Sequence, residues 1–205
     1  MAFQLPVGIE TKGIQREGVT IYYPQINGPS PAATRLINST ITGQVNALIK
    51  EQGRYLTSNR YEMIGHYELK TNERGILSLT LSNYAMSYPS AHGMTILKAL
   101  TFDVNTGKLY QLSDLFKPGA DYISLLSREV QIQIQLRQIP VIHPFTGISA
   151  NQEYYLADKT LVLFYQLYQL APYYYGFPMF PISNYTLLPL VPDQSPISIL
   201  AVDSS

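Results

Sequence analysis

Tyr61-Glu62-Met63-Ile64-Gly65-His66-Tyr67-Glu68-Leu69-Lys70, the turn Asn72-Glu73-Arg74-Gly75, and Ile76-Leu77-Ser78-Leu79-Thr80-Leu81-Ser82 together decide the fold. Tyr61, Met63, Gly65, Tyr67 and Leu69 alternate with Glu62, His66, Glu68 and Lys70. Leu77, Leu79 and Leu81 alternate with Ser78, Thr80 and Ser82. A period of two on both sides of an Asn-Glu-Arg-Gly turn is a hairpin, with one apolar face and one wet face. A further strand is expected over about Thr95 to Val104, and Asn105-Thr106-Gly107 turns it back into Lys108-Leu109-Tyr110.

Working outward from this hairpin, the chain to about Pro24 reads as extended. Ser30 caps a helix with Pro31 at its first position. Ile37, Ile41, Val45 and Leu48 lie on one face of that helix, which is expected over residues 31–51 despite Gly43. Residues 119–137 fit two patterns. Ile123, Leu126, Val130 and Ile134 have helical spacing, whereas Gln131 to Leu136 alternates like a strand. Asp121 as cap and the length of the segment favour a helix. Residues 138–150 read as a loop. Glu153 to Leu156 and Thr160 to Tyr168 read as strands joined by Ala157-Asp158-Lys159, with a last strand near Phe180 to Leu187. The expected class is α+β: an antiparallel sheet with two main helices packed on one face. Residues 189–205 read as an extended, Pro-rich tail.

Composition narrows the function. The 205 residues contain 14 Lys plus Arg and 14 Asp plus Glu, so the formal net charge is zero, and no basic excess suggests nucleic acid. Absence of cysteine removes thiol catalysis, thiolate metal sites and disulfides. No segment has the ~18 apolar residues of a membrane helix. Met1 to Glu10 shows no secretory signal. Charged residues are only 14%, against about 25% in an average soluble domain, and the chain holds 17 Tyr. After Lys159 the only charges are Asp193 and Asp203.

No familiar catalytic motif is present. His66, His92 and His143 lie far apart in sequence, and no metal site or cofactor is expected from them. Ser90 and His92 with Asp103 or Asp114 are the one set that suggests a nucleophile, but a tight turn ending at Gly93, with His92 satisfying nearby polar groups, is the favoured account of this pattern. Asp103 with Asp158 could be paired carboxylates of a glycosidase, yet Asp158 sits in a predicted turn. The strongest anomaly is the aromatic stretch Tyr165 to Phe180, and within it Pro172-Tyr173-Tyr174-Tyr175-Gly176-Phe177. Three adjacent Tyr cannot all face one core, and exposed Tyr beside Pro makes a rigid contact surface for protein or sugar. The alternative is that the rings cover a core edge.

At these residues the sequence resembles a known family. Tyr88-Pro89-Ser90-Ala91-His92-Gly93, Phe102-Asp103-Val104-Asn105-Thr106-Gly107 and Leu112-Ser113-Asp114-Leu115-Phe116 come first. Tyr154-Tyr155-Leu156, Leu161 to Tyr165, Tyr168, Ala171-Pro172-Tyr173, Gly176 and Ile182 complete the set. Together they look like the RsiV-type extracytoplasmic domain. Ile21-Tyr22-Tyr23-Pro24-Gln25-Ile26 and Ile37-Asn38 look like a PdaC-type N-terminal domain preceding it. Gln169 departs from the pattern, which commonly has an acidic residue there, and so does the uncharged tail.

The resemblance implies two segments, 1–87 PdaC-type and 88–188 RsiV-type, before the tail at 189–205; the connection from Leu81 to Thr95 has no linker character, so one continuous fold is expected. The resemblance also implies action outside the cytoplasm, at the cell envelope of Gram-positive bacteria, where RsiV-type anti-sigma factors bind and sense lysozyme. It supplies no catalytic residue. The expected function is therefore a non-enzymatic binding or sensor module. Its partner is expected to be a lysozyme-like protein, held through Pro172, Tyr173, Tyr174, Tyr175 and Phe177. Ser90, His92, Gly93, Asp103 and Gly107 form the family-motif turns. Binding of peptidoglycan or another glycan is the alternative. A hydrolase or a structural spore or envelope protein ranks below both.

Overall fold

The computed structural model describes residues 6–201. It divides into two compact units, one running to Leu109 and the other starting at Tyr110.

The first unit contains β1 (Gly8–Arg16), β2 (Val19–Asn27), α1 (Pro31–Gly53), β3 (Tyr61–Glu73), β4 (Ile76–Ser87) and β5 (Met94–Asp103). The five strands form one sheet in chain order. Every neighbouring pair is antiparallel except β2–β3, where Val19, Thr20 and Ile21 run parallel to Met63, Ile64 and Gly65. A parallel step needs a crossover, and α1 is that crossover. Its start follows the expected chemistry, with the Ser30 hydroxyl accepting from the Ala33 N–H and Pro31 at the first position. Ile37, Ile41, Val45 and Leu48 are buried and pack with Leu77, Leu79 and Leu81 of β4 in the core. Gly65 has to be glycine, because a Cβ there would lie 2.6 Å from the Ile21 Cγ2 across the short parallel pairing.

Two asparagines extend the sheet where strand pairing stops. Asn38 on α1 accepts from the Ile26 N–H (2.8 Å) and donates to the Ile26 carbonyl (3.0 Å). Asn72 on β3 does the same for Val7, at 3.3 and 2.9 Å. Each carboxamide stands in for a missing strand, so that buried backbone groups remain paired.

The second unit begins with a 3-10 turn at Leu112–Leu115. It continues with α2 (Tyr122–Leu136), β6 (Tyr154–Ala157), β7 (Thr160–Phe164), a 3-10 turn at Tyr173–Tyr175 and β8 (Met179–Ser183). The helical segments α3 (Asn184–Leu187), Leu188–Leu190 and α4 (Pro196–Ala201) close it. The three strands form an antiparallel sheet in the order β6-β7-β8. Asp121 caps α2 through the Ser124 N–H, and Leu126, Val130 and Ile134 are its buried stripe.

The α+β class is correct, but several details differ from expectation. The described residues form two sheets, and each main helix belongs to a different unit. The compact units divide at Leu109/Tyr110, not at 87/88, because β5 is hydrogen-bonded along its length to β4. The β4 face expected to be wet is buried over Ser78 and Thr80, and the Ser78 hydroxyl pairs with that of Thr101 at 2.9 Å. The last strand stops at Ser183, where Asn184 starts a helical turn. The expected tail is partly helical and is packed up to Ala201. Ile197 and Leu200 are buried, the Ser195 hydroxyl donates to the Leu115 carbonyl (2.7 Å), and Lys117 donates from backbone and side chain to the Leu190 and Pro189 carbonyls. Residues 1–5, the first half of the segment read for a signal, and 202–205, the end of the tail, lie outside the described residues.

Candidate functional site

Tyr173–Tyr175 form a single 3-10 turn, closed by hydrogen bonds from the Tyr175 N–H to the Pro172 carbonyl and from the Gly176 N–H to the Tyr173 carbonyl. Three residues per turn send successive rings about 120° apart. One ring must then leave the protein surface, and it is Tyr174, 79% exposed. Tyr173 and Tyr175 are half-buried, as are Pro172 and Phe177. Gly176 follows at φ +78°, a conformation that only glycine adopts without strain.

Two neighbours fix this turn. The Tyr168 ring, 46% exposed, lies 5.5 Å from that of Tyr173, and its backbone is held at φ +63°. Arg137, just past the end of α2, donates to the Met179 carbonyl at 2.6 Å and reaches the Tyr175 hydroxyl at 3.4 Å. Its guanidinium also lies 5.6 Å from the centroid of Phe180. Gln133, one helical turn earlier, donates to the Pro181 carbonyl at 2.8 Å. The row Gln133–Arg137 therefore clamps α2 to β8, and on the neighbouring helical row Ile132 and Leu136 are left exposed. The result is an exposed aromatic surface with almost no charge. Tyr168 lies inside the aromatic stretch noted in the sequence but was not among the expected contact residues, and Arg137 was missed altogether. The positive φ of Tyr168 left no mark in the sequence, and Arg137 lies more than thirty positions from the ring it contacts.

Beneath the surface, Tyr165 packs edge-on against Phe180 at 5.7 Å. Its hydroxyl is buried with no hydrogen-bond partner. Burial alone pushes this phenol well above its ordinary range.

The family-motif turns lie in the first unit. Tyr88 to Gly93 connects β4 to β5, with a cis Tyr88-Pro89 peptide. Ser90 and His92 are exposed there, and His92 Nδ1 lies 3.0 Å from the Gly93 carbonyl. Gly93 is buried, and a Cβ on it would lie 2.5 Å from the Ala85 carbonyl oxygen. Asp103 is at the other end of β5. Ten residues at ~3.3 Å each place it roughly 30 Å from His92, so the two cannot share one proton-transfer site. Its carboxylate instead accepts from the N–H groups of Asn105 (2.8 Å) and Thr106 (3.4 Å). Gly107, at φ +79°, sits where a Cβ would lie 3.1 Å from the Ala33 Cα of α1. Asp158 occupies the β6–β7 turn at φ +49°. Among the described residues no three His, Asp or Glu side chains converge as metal ligands would. No helix among them is long and apolar enough to cross a membrane.

Residues 113–185, which include α2, β6–β8 and the Tyr turn, match the model of a family described as "Protein of unknown function (DUF3298)". No curated protein matches the chain. Two solved structures are similar over nearly their whole length. One is a DUF3298 family protein from Pseudomonas aeruginosa PAO1, with a TM-score of 0.64 and 16% identity, covering 96% of this chain and 97% of that one. The other is a DUF3298 family member from Bacteroides fragilis NCTC 9343, with a TM-score of 0.61 and 13% identity, covering 98% and 97%. At such identities the likeness is one of fold.

Proposed function

We propose that this chain is a non-catalytic binding module of the bacterial cell envelope that captures a lysozyme-like protein through the face formed by Tyr168, Tyr173, Tyr174 and Phe177. The observation that carries the reading is the 79% exposed ring of Tyr174 at the apex of a turn fixed by Arg137 and Gly176. A large ring held rigidly in water loses little entropy on binding, and such anchors dominate interface energies. The distance between His92 and Asp103 removes one of the nucleophile arrangements the sequence offered. The compartment and the kind of partner rest on the RsiV-type resemblance.

Charge makes the proposal specific. Lysozymes of the relevant kind are basic, yet the proposed face offers no acidic side chain to steer them. Affinity would come from ring burial and shape, so it should change little with salt. Calorimetric titration with a C-type lysozyme at two salt concentrations tests this. Saturable binding, weakened at least about tenfold by Tyr174→Ala, is expected. The absence of any complex up to about millimolar concentration would remove the lysozyme reading. Retention on insoluble cell wall, lost in the same variant, would assign the face to glycan instead.

A further inference from the structure

The first unit holds a second feature, unrelated to the Tyr face. The β1–β2 hairpin turns through Glu17 and Gly18, and the chain entering β3 passes beside it as Asn59, Arg60 and Tyr61. Between them lies an open cleft of about 510 Å³, within the range of small-molecule sites.

Its walls are fixed by backbone contacts. The Gly18 carbonyl accepts from the Met63 N–H at 2.7 Å, and a Cβ on Gly18 would lie 2.7 Å from the Tyr61 carbonyl oxygen. Arg60 is anchored at its backbone. Its carbonyl accepts from the Tyr88 N–H (2.9 Å) and the Ser58 hydroxyl (2.8 Å), while its N–H donates to the same hydroxyl. The Arg60 guanidinium lies over the Tyr88 ring, 4.9 Å from its centroid. That ring covers one face of the cation and leaves the N–H edge available.

Two arginines, Arg16 and Arg60, therefore line one cleft, and neither forms an ion pair among the described residues. Glu17, the one carboxylate in the lining, is likewise unpaired. The lining thus keeps one net positive charge together with a carboxamide and a phenol. We infer that this cleft binds a small polyhydroxylated ligand bearing a carboxylate or phosphate, its oxyanion held between Arg16 and Arg60 and its hydroxyls facing Asn59 and Tyr61. Guanidinium forks match the two oxygens of either anion, and the volume exceeds what a bare ion needs.

The test is a titration of the full chain with glucuronate, glucose 6-phosphate and neutral glucose, read by calorimetry and by the arginine Nε–H resonances. At least one anionic probe should bind at about millimolar affinity and shift two guanidinium resonances, with glucose silent. The tighter of the two anions identifies the group. Arg16→Gln and Arg60→Gln should each weaken binding about tenfold, with far-UV circular dichroism confirming the fold. Glu17→Gln, which removes the opposing charge, should tighten binding about two- to fivefold. Failure of both anions to bind up to about 100 mM, well below useful affinity, would overturn the inference. So would equal binding of glucose, or indifference to all three substitutions.

Discussion

Replacing Tyr165 by Phe removes one oxygen and leaves the ring against Phe180 unchanged. That oxygen is buried and unpartnered, so the folded protein bears its desolvation without a compensating hydrogen bond. Losing an unsatisfied buried hydroxyl should stabilise the protein by about 1 kcal/mol near pH 7. A second, independent signal comes from its titration. Burial raises the phenol's pKa in the folded state above its unfolded value of ~10. The neutral form is thus favoured when folded. Its stability contribution is intact below pH ~10 and is lost progressively as pH rises toward the folded value. By linkage the wild type should lose about 1.4 kcal/mol relative to Tyr165→Phe between pH 9 and pH 11, whatever the other tyrosines do, since they are common to both chains. Urea unfolding of both proteins at pH 7, 9, 10 and 11, followed by circular dichroism, measures both effects. Destabilisation by more than about 1 kcal/mol at pH 7 would mean that the hydroxyl has a partner, and no divergence at pH 11 would mean that burial does not hold the phenol neutral; either result refutes the reasoning.

Other substitutions test the architecture. Gly93→Ala, with its new methyl against the Tyr84 ring and the Ala85 carbonyl, should cost about 3 kcal/mol or more in chemical unfolding. Gly43→Ala in the same assay should gain about 0.5–1 kcal/mol, because it lies inside α1 with nothing within 4 Å of the new methyl. Asn38→Ala orphans both backbone groups of buried Ile26 and should cost about 2–4 kcal/mol, with faster amide exchange at Ile26. Gln52→Ala leaves the Asn83 and Met94 carbonyls without the Nε2 donor and should cost a similar amount, read as a lower Tm.

Local chemistry carried most of the elements. The Ser30 and Asp121 caps, the Ile37-Ile41-Val45-Leu48 stripe and the Asn72–Gly75 turn all act within a few residues, and they stand where their spacing put them. What pairing partners decide was not legible. The parallel step between β2 and β3 depends on Gly65 admitting Ile21, a contact more than forty residues apart. The burial of Ser78 and Thr80 could not be read from alternation, which reports polarity and not what covers it. The tail was misread because Pro189, Pro192 and Pro196 suggested extended chain, whereas Pro196 is the first residue of α4. For the Tyr face, the need for one exposed ring was visible in Tyr173-Tyr174-Tyr175, but which ring, and its clamp by Arg137, required the turn geometry.

The motif residues have structural reasons that bear on how the family resemblance is to be used. Asp103 closes a turn through its own carboxylate, Gly107 lets that turn lie against Ala33, and Gly93 fits where no side chain can. Ala171 is fully buried. Each of these positions would be demanded by the fold whatever the chain binds, so a shared motif of this kind transmits architecture and carries little information on the ligand. Tyr174 and the arginines of the cleft differ in that respect. Tyr174 has its ring in water, and Arg16 and Arg60 form no ion pair among the described residues, although Arg60 also rests on the Tyr88 ring, so none of the three is tied to the packing as the motif glycines are. A substitution that spares stability and removes binding is expected at these positions, and the opposite at the motif glycines. Measuring both properties on the same set of variants therefore separates function from fold in a way that sequence similarity to the family cannot.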